Sequence, residues 1–456
     1  MGSAVKAKIC PEMQQLSEYV SRALSKALPR DVVERAKVHL LDTVCSMVSG
    51  SRLEAGRVAI SYVKTQGGKP DSKVIGARLL TSAPLAALAN GMMAHADETD
   101  DTHPASNTHP GRGVVPAVLA LADRNHSSGM ELLRAMMVGY DVCARVPLVL
   151  GPIALMRRGH YTGAFGSIFG AAAGSAALLR LKPAQIRHVL SLTTQQASGL
   201  AMVLRGADHV EKGFAGGGMP AHNGAAAALM VAAGFTGVDD VFTGDPDFFG
   251  TFAEKPARQH IARNLGGDYE IFNCAIKCWA SGGPTQGPLH VLKELIDRHD
   301  IKAGDVAEII ARMPDNELRI VNNRSMPNIC VQHLLAVMLL DGTLTFSTSR
   351  DAARMKDAKV LAVRKHITAV GDPSLTDSER RWRCVMTVKM KDGREFHHQT
   401  MAAKGSYENP VSRKEEEEKA MDLMGSVLGN KRAKAVVDAI WSIDKLRDVR
   451  SLRTLI

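Results

Sequence analysis

The sequence predicts a mainly α protein with a large all-helical domain and a smaller α+β domain. Apolar residues follow helical spacing almost without interruption from Met13 to Leu265. Aromatic residues make up 4% of the chain and hydrophobic residues 45%, a balance that suits close packing between alanine- and glycine-rich helices. At 456 residues the chain is longer than one hydrophobic core usually fills, so two domains are expected.

The all-helical domain is expected to span residues 1–266. One helix follows the break at Pro29, because the apolar residues after it fall on a single helix face. Residues that favour helix starts precede three more apolar runs, at Thr81–Ser82, Ser127–Ser128 and Asn223–Gly224.

One stretch, Tyr161–Leu179, carries no formal charge and is long enough to raise the question of a membrane span. Its composition is mostly alanine, glycine and serine rather than the large apolar residues that lipid favours. Gly166, Gly170 and Gly174 recur every four residues on one helix face, where another backbone can approach closely. We therefore expect a buried core helix and no membrane association.

The smaller α+β domain is expected over residues 267–400. Two runs, Val306–Met313 and Arg383–Met390, have the composition of strands, and the second leads into the turn signal Lys391–Gly393. Helices are expected between them, at Gln286–His299 and Ile329–Leu340.

The last part of the chain, residues 401–456, is expected to return to the helical domain and complete it. Tyr407–Pro410 has the composition of a helix breaker, and the acidic run Lys414–Lys419 then opens a helix that is followed by another through Trp441. The four glutamates of that run favour a helix N-terminus and are expected to form a solvated face.

Charge and cysteine content argue against a nucleic-acid-binding protein, a disulfide-rich protein and a protein with a cysteine-ligated zinc site. The formal net charge is +10, but the basic residues are scattered and lack interleaved aromatic residues, so acidic small substrates are favoured over nucleic acid. The seven cysteines form neither a disulfide framework nor a four-ligand zinc array. The first residues show no apolar signal core. We expect reduced thiols and a cytoplasmic protein.

The segment His95–Pro110 concentrates the reactive side chains of the chain between two apolar helices. It contains four carboxylates and three imidazoles, which are Asp97, Glu98, Asp100, Asp101, His95, His103 and His109. Three interpretations apply. Asp100, His103 and His109 could ligate a metal, although no established metal spacing is present. Some acids, Asp101 above all, could cap backbone donors at a helix start.

The third interpretation is acid–base chemistry. A carboxylate beside an imidazole orients the ring and tunes its pKa, as proton transfer requires. His109 also leads directly into an apolar helix near Val114, and a helix N-terminus attracts anionic groups.

Three further segments combine basic residues with glycine or with a domain junction. Arg157–Tyr161 places two arginines and an imidazole before the uncharged helix, which suits either carboxylate recognition or a surface turn. His209–Gly224 is glycine-rich and contains Lys212, a candidate ammonium group for a carboxylate, but it has no nucleotide-binding motif. Lys277 lies in an otherwise apolar stretch at the predicted junction, where ligand sites are common.

These segments, in this order, resemble the MmgE/PrpD family, which includes 2-methylcitrate dehydratase, cis-aconitate decarboxylase and iminodisuccinate epimerase. The resemblance covers almost the whole chain. It rests on a series of short motifs, which are Leu40–Thr43, Asn90–Gly91, His95, Asp100–His103, Thr108–Pro110, Gln195–Leu200, Ile276–Lys277, Leu339–Gly342 and Asn409–Pro410. The combination indicates the family without separating its activities.

The resemblance implies a large helical domain, a smaller lid-like α+β domain, a homodimer, and no metal or organic cofactor. It also implies an active site between the domains that handles di- or tricarboxylates. The family's functional positions fall on an acid, a threonine, two histidines and two lysines of this chain, which are Glu98, Thr102, His109, His160, Lys212 and Lys277.

Two departures from the family pattern reshape the predicted pocket. The first acid of the motif is usually Asp, and here it is Glu98. The lysine segment usually continues closely into a histidine and a glycine. In this chain Lys212 is separated from His222–Gly224 by a Gly-Gly-Gly-Met-Pro stretch, which is expected to be a loop.

Together these features predict a cofactor-independent lyase, of dehydratase type, that transfers a proton next to a carboxylate of a small di- or tricarboxylate. His109 is the expected acid or base, with Glu98 or Asp100 orienting it. The remaining candidates hold substrate carboxylates or assist, and these are Thr102, His103, Arg158, His160, Lys212 and Lys277. The alternatives are an epimerase or racemase of an amino- or imino-dicarboxylate, a decarboxylase of a cis-aconitate-like acid, and a non-catalytic carboxylate-binding protein.

Overall fold

The computed structural model describes residues 9–206, 208–377 and 380–456. Helices account for 61% of the structure and strands for 9%, which confirms the predicted mainly α class. The helices before the larger sheet are α1 (Pro11–Arg22), α2 (Arg30–Gly50), α3 (Glu54–Gln66), α4 (Ala83–Ala94), α5 (Pro110–Asn125), α6 (Gly129–Leu150), α7 (Pro152–Arg157), α8 (Thr162–Leu178), α9 (Pro183–Gln196), α10 (Val210–Gly213), α11 (Met219–Ala232), α12 (Phe248–Phe252), α13 (Gln259–Ala262) and α14 (Gln286–His299).

The uncharged helix α8 lies at the centre of the helical region, where every one of its residues is buried. It packs against α5, α6 and α11. The predicted glycine face makes this packing possible, because a Cβ atom at Gly170 would lie 2.5 Å from the carbonyl oxygen of Gly139 on α6. The prediction of a core helix is therefore confirmed. Within the described residues, no helix combines the length and apolar character needed to cross a membrane.

The remaining helices are α15 (Asp315–Val321), α16 (Val331–Asp341), α17 (Phe346–Ser349), α18 (Ala358–Arg364), α19 (Arg413–Leu428) and α20 (Asn430–Trp441). The strands are β1 (Ser72–Val74), β2 (Leu79–Thr81), β3 (Val306–Met313), β4 (Ile367–Gly371), β5 (Cys384–Met390) and β6 (Glu395–Thr400). The pair β1–β2 is a short antiparallel hairpin inside the region that the sequence predicted to be all-helical.

The larger sheet has the strand order β4-β3-β5-β6. Its central strand β3 runs parallel to β4 and antiparallel to β5, while β5 and β6 form a hairpin. Helices α14 and α16 pack against this sheet and against each other, around a second apolar cluster separate from the helical core. The two predicted strands and the turn between β5 and β6 are confirmed.

The C-terminal helices α19 and α20 pack back onto α2. Their apolar residues belong to the same cluster as those of the first helices. The expectation of a solvated glutamate face is wrong for Glu416, which is fully buried beside Lys419. Burial raises the pKa of Glu416 well above its usual range. The exact domain boundaries at residues 266 and 400 stay a prediction.

The glycine-rich stretch after Lys212 is helical, not the loop that the sequence suggested. Residues 214–218 form a turn of π-helix between α10 and α11, and α11 begins at Met219 rather than at Asn223. A π-helical turn is a rare irregularity that is frequent at functional sites. It begins two residues after Lys212, so the chain stays helical from α10 through α11.

Candidate active site

The segment between α4 and α5 is anchored by the two helices that flank it and by backbone bridges in its second half. His95 directly follows α4, and His109 is the N-cap residue of α5. Short antiparallel bridges join His103 to Thr108, and Thr102 to Ala275. The second bridge brings the following residues, including Lys277, against the acidic segment. Chain segments about 170 residues apart in sequence therefore meet here.

Asp101 supports this segment structurally. One of its carboxylate oxygens accepts a hydrogen bond from the backbone N–H of Gly111, 2.9 Å away in the first turn of α5. The other accepts from the Tyr140 hydroxyl and lies 2.8 Å from Nδ1 of His39. The interpretation of Asp101 as a capping acid is therefore confirmed.

Asp100 is the carboxylate around which the other groups assemble. Nδ1 of His95 lies 2.9 Å from both of its oxygens, and Nδ1 of His109 lies 3.3 Å from one of them. The ammonium nitrogen of Lys277 is 3.5 Å away. Burial raises the pKa of Asp100, but His95, Lys277 and His109 outweigh that effect and hold the pKa well below its usual range. Asp100 is therefore an ionised carboxylate.

His95 connects Asp100 to Arg112. Its Nε2 atom lies 2.7 Å from Nη1 of Arg112. Arginine can only donate hydrogen bonds, so Nε2 must be the acceptor and Nδ1 must carry the proton that it donates to Asp100. Burial, reinforced by the Arg112 charge, lowers the pKa of His95 well below its usual value. His95 is therefore a neutral imidazole with a defined tautomer.

His109 has one engaged and one available nitrogen. Its Nδ1 atom lies 2.6 Å from the carbonyl oxygen of Asp101, which can only accept, so Nδ1 carries a proton. In the described part of the chain Nε2 has no hydrogen-bond partner, and 23% of the side chain is exposed. Burial lowers the pKa of His109 even though Asp100 opposes this shift. His109 thus presents a neutral, proton-accepting Nε2 atom.

Glu98 is the counter-ion of the two lysines at the site. Its carboxylate pairs with Lys212, lies 3.9 Å from the ammonium of Lys277 and lies 3.5 Å from His209. Its backbone carbonyl accepts a hydrogen bond of 2.7 Å from Lys277. Burial raises the pKa of Glu98, but Lys212 and the neighbouring histidines and Lys277 hold it well below its usual range. An acidic ligand would compete with Glu98 for these cations.

A metal at this site is disfavoured by charge. The potential ligand atoms of His95, Asp100 and His109 lie within 4.8 Å of one another. However, both nitrogens of His95 already have partners, and the charges of Arg112 and Lys277 act directly on these groups. A divalent cation would be repelled by these neighbours, whereas an anion would be attracted.

Comparison with known proteins identifies the family of the chain. Residues 14–260 match the MmgE/PrpD N-terminal domain, and residues 279–444 match the MmgE/PrpD C-terminal domain. The chain belongs to the MmgE/PrpD family. The predicted assignment to a lyase of this family is thereby confirmed.

Similar members carry the name cis-aconitate decarboxylase. The chain is 25% identical to the one from Aspergillus terreus, over 100% of this chain and 96% of the relative. It is 25% identical to the human protein, over 93% and 90% of the two chains. A cis-aconitate decarboxylase-like protein from Aspergillus oryzae is 26% identical over 97% and 96%.

The structure gathers five of the predicted site residues, Glu98, Asp100, His109, Lys212 and Lys277, into one cluster. Two others support the segment. The Thr102 hydroxyl donates to the carbonyl of Thr108 at 3.2 Å, and Nε2 of His103 lies 3.2 Å from the carboxylate of Glu270.

The side chains of His160 and Arg158 contact residues other than the five of this cluster. The His160 ring packs edge-on against the rings of Phe165 and Phe252, with centroid-to-centroid distances of 5.5 and 5.4 Å. Arg158 donates to the carbonyl of Phe252 and pairs with Glu254, with 40% of its side chain exposed. The structure gives Arg158 the surface-turn contacts that the sequence left open as an alternative.

The site includes residues that the sequence did not single out as functional. Arg112 and Tyr161 hydrogen-bond to each other inside the cluster. His209 lies near the carboxylate of Glu98. Arg350, in the part of the chain that matches the C-terminal domain, donates a hydrogen bond of 3.5 Å to the backbone carbonyl of Asp97. The spacing of residues in the sequence does not reveal Arg112. It lies in an apolar helix, and the space for its side chain is left by glycines far away in the sequence. Arg350 has no motif that distinguishes it from the other scattered arginines.

Proposed function

We propose that this chain is a lyase that acts on a small di- or tricarboxylate by moving a proton at a carbon next to a carboxylate. The observation that carries the proposal is the state of His109. Its Nδ1 atom is fixed by the Asp101 carbonyl, while its Nε2 atom is free at the exposed edge of a buried, cation-rich cluster. A neutral imidazole with one free nitrogen is suited to proton transfer near neutral pH.

The neighbouring cations suit the substrate's negative charge. Lys212 and Lys277 share the carboxylate of Glu98, and substrate carboxylates would replace part of that pairing. Loss of a proton or of carbon dioxide next to a carboxylate leaves an electron pair that spreads onto that group. Fixed ammonium groups stabilise this charge as it develops, which lowers the barrier to reaction.

Decarboxylation of a cis-aconitate-like acid is the first candidate reaction, because the relatives compared above carry that name. In this reaction the carbon–carbon bond to one carboxylate breaks, and its electron pair forms a new double bond. The electron pair of the old double bond takes up a proton on the neighbouring carbon. His109 would deliver that proton after the bound carboxylates have raised its affinity for it.

Dehydration is the second candidate, because burial lowers the pKa of His109 and leaves the ring neutral before substrate binds. A neutral ring can remove the proton next to a carboxylate, and hydroxide then leaves from the adjacent carbon as water once it is protonated. Epimerisation of an amino- or imino-dicarboxylate also begins with this proton removal. It needs a second proton donor on the opposite face of the carbon.

A substrate panel in deuterated water tests the proposal. The panel contains cis-aconitate, citrate-like hydroxy acids and aspartate-like dicarboxylates, and NMR follows carbon-bound deuterium, while released carbon dioxide is trapped separately. Carbon dioxide from cis-aconitate would support decarboxylation, and an unsaturated product from a hydroxy acid would support dehydration. Deuterium exchange with inversion would support epimerisation. Binding of these acids without reaction or exchange would contradict the proposal and favour a non-catalytic carboxylate-binding protein.

We also propose that catalysis needs neither a metal nor an organic cofactor. The charges around His95 and the family resemblance support this. The test is activity that survives chelator treatment and dialysis. A homodimer is also proposed from the resemblance. Sedimentation equilibrium at micromolar concentration would give about twice the chain mass of 49.0 kDa if it is right, and the chain mass if it is wrong.

A further inference from the structure

Arg112 is a buried cation, and Tyr161, Asp100 and Glu98 outweigh the effect of burial and raise its pKa above the usual value. It is the third residue of α5, close to the positive end of the helix dipole, and it is fully buried. Removing a guanidinium group from water is costly unless its donors find partners. Nη1 lies 2.7 Å from His95 and Nη2 donates to the Tyr161 hydroxyl at 2.9 Å, while Nε has no partner in the described part of the chain. The guanidinium group is therefore buried with two nitrogens engaged and one unpaired.

Two glycines make the space that the guanidinium group occupies. A Cβ atom at Gly163, in the first turn of α8, would lie 2.3 Å from Nη2 of Arg112. A Cβ atom at Gly216, in the π-helical turn, would lie 2.7 Å from Cζ and 3.0 Å or less from both Nη atoms. Any larger residue at either position would displace the group. Two distant segments are therefore shaped around this one side chain.

The hydrogen bonds of Arg112 dictate the protonation of its neighbours. The donor Nη1 keeps Nε2 of His95 free of a proton, so the ring must donate from Nδ1 to Asp100. Asp100 in turn lies beside Nδ1 of His109. A continuous series of polar contacts thus runs from Tyr161 through Arg112, His95 and Asp100 to His109.

We propose that Arg112 is a positioning residue that holds His95 in its Nδ1-protonated tautomer and so fixes Asp100 against His109. Its link to catalysis rests on the proposed function, whereas its effect on His95 does not. Without the Arg112 donor, Nε2 of His95 is free to take a proton. The charged and titratable groups that face this ring are then Asp100 at 2.9 Å, Glu98 at 4.0 Å and the ring of His109, whose centroid is 5.3 Å away.

The first test is NMR of protein labelled with ¹⁵N in its histidine rings, from pH 5.5 to 8. In the parent, His95 shows one protonated nitrogen, Nδ1, throughout this range. In Arg112→Met, Nε2 no longer faces a hydrogen-bond donor, so we expect a protonated Nε2 to be detectable in at least part of this range. Arg112→Lys retains a donor and a charge and restores the parent tautomer at least in part. An unchanged His95 spectrum in Arg112→Met overturns the proposal.

A second variant, which keeps Arg112, tests whether the NMR change in Arg112→Met comes from misfolding. Gly216→Ala pushes the guanidinium group away from His95 and is expected to reproduce the NMR change of Arg112→Met. Arg145→Met is the matched control, because Arg145 is equally buried but donates to the carbonyls of Arg263 and Asp268 and pairs with Glu270 rather than with His95. It is expected to lower stability without altering His95. If Arg145→Met changes His95 in the same way, the effect is general loosening and the proposal fails.

The second test uses the substrate found with the acid panel. Arg112→Met is expected to lower kcat about 100-fold, the size of effect that a misplacement of about 1 Å produces, with little change in KM. Arg112→Lys is expected to recover part of this loss. A loss confined to KM would mean that Arg112 binds a substrate carboxylate and would overturn the positioning role. If no acid reacts, the proposed function fails, while the NMR result still decides the proposal for His95.

Discussion

Asp97 and Asp100 lie three residues apart, and both are fully buried, yet the structure predicts opposite effects when each is changed to asparagine. Asp100 is surrounded by His95, His109 and Lys277. Asp97 accepts hydrogen bonds from the Ser49 hydroxyl and from the backbone N–H of Thr99, and burial raises its pKa to about 6. The two substitutions are nearly isosteric, so any difference between them reports charge rather than packing.

The magnitudes follow from the contacts. Unit charges 3.5 Å apart, the distance from Asp100 to Lys277, attract by about 5 kcal/mol at an effective dielectric constant of about 20. Breaking a buried pair usually costs about 3–5 kcal/mol, which we expect for Asp100→Asn. Asp97 must ionise at pH 8 with a pKa about two units above its value in the unfolded chain, at a cost of about 3 kcal/mol. Asp97→Asn removes this cost but weakens a hydrogen bond, which takes back about 1–2 kcal/mol of the stability gained.

The assay is reversible denaturation by urea at pH 8, with the free energy of unfolding compared among the parent and the two variants. We expect Asp100→Asn to be less stable than the parent by about 3–5 kcal/mol and Asp97→Asn to be at least as stable as the parent. Equal losses in the two variants would refute the reasoning, because they would show that the charge of Asp100 is not what the surrounding cations stabilise.

Two further predictions concern buried ionisable groups outside the proton-transfer cluster. Lys419→Met leaves Asp42 without its ammonium partner and should lower the free energy of unfolding by about 3–5 kcal/mol; a loss below about 1 kcal/mol would contradict this role. Burial raises the pKa of Asp141 to about 7, so the stability that depends on its protonated form is full below about pH 4 and is lost as the pH rises through 7. Asp141→Asn should therefore reduce the difference in unfolding free energy between pH 5 and pH 8, and an unchanged difference would be evidence against the assignment.

Helical periodicity made most of the fold predictable. The uncharged segment around Gly170 could be assigned to the core because its glycines recur at helical spacing, and β3 could be assigned because its apolar residues cluster in a short run. The burial of individual charged residues was harder to predict from the sequence. Glu416 belongs to a run of four glutamates that favours a solvated face, and only its packing beside Lys419 and α2 reveals that it is buried.

The candidate site divides along similar lines. His109 and Asp100 could be found from one dense segment of sequence. Lys212 and Lys277 were candidates because of their surroundings, a glycine-rich segment and an apolar stretch at the predicted junction, and the family resemblance pointed to the same two residues. Arg112 depends on the cavity left by two glycines that lie 51 and 104 residues further along the chain. No local pattern records such a contact, because it arises only when α5, α8 and the π-helical turn pack together.

The central claim is that Nε2 of His109 moves the proton. The most direct test compares the parent with His109→Gln on the substrate identified from the acid panel, measuring carbon-bound deuterium by NMR and substrate affinity by calorimetry. Lys212 and Lys277 remain in the variant, so affinity should change little, whereas exchange and product formation should fall by about 10²–10⁴-fold. Exchange by His109→Gln at a rate within a few-fold of the parent would contradict the claim and assign the proton transfer to another group.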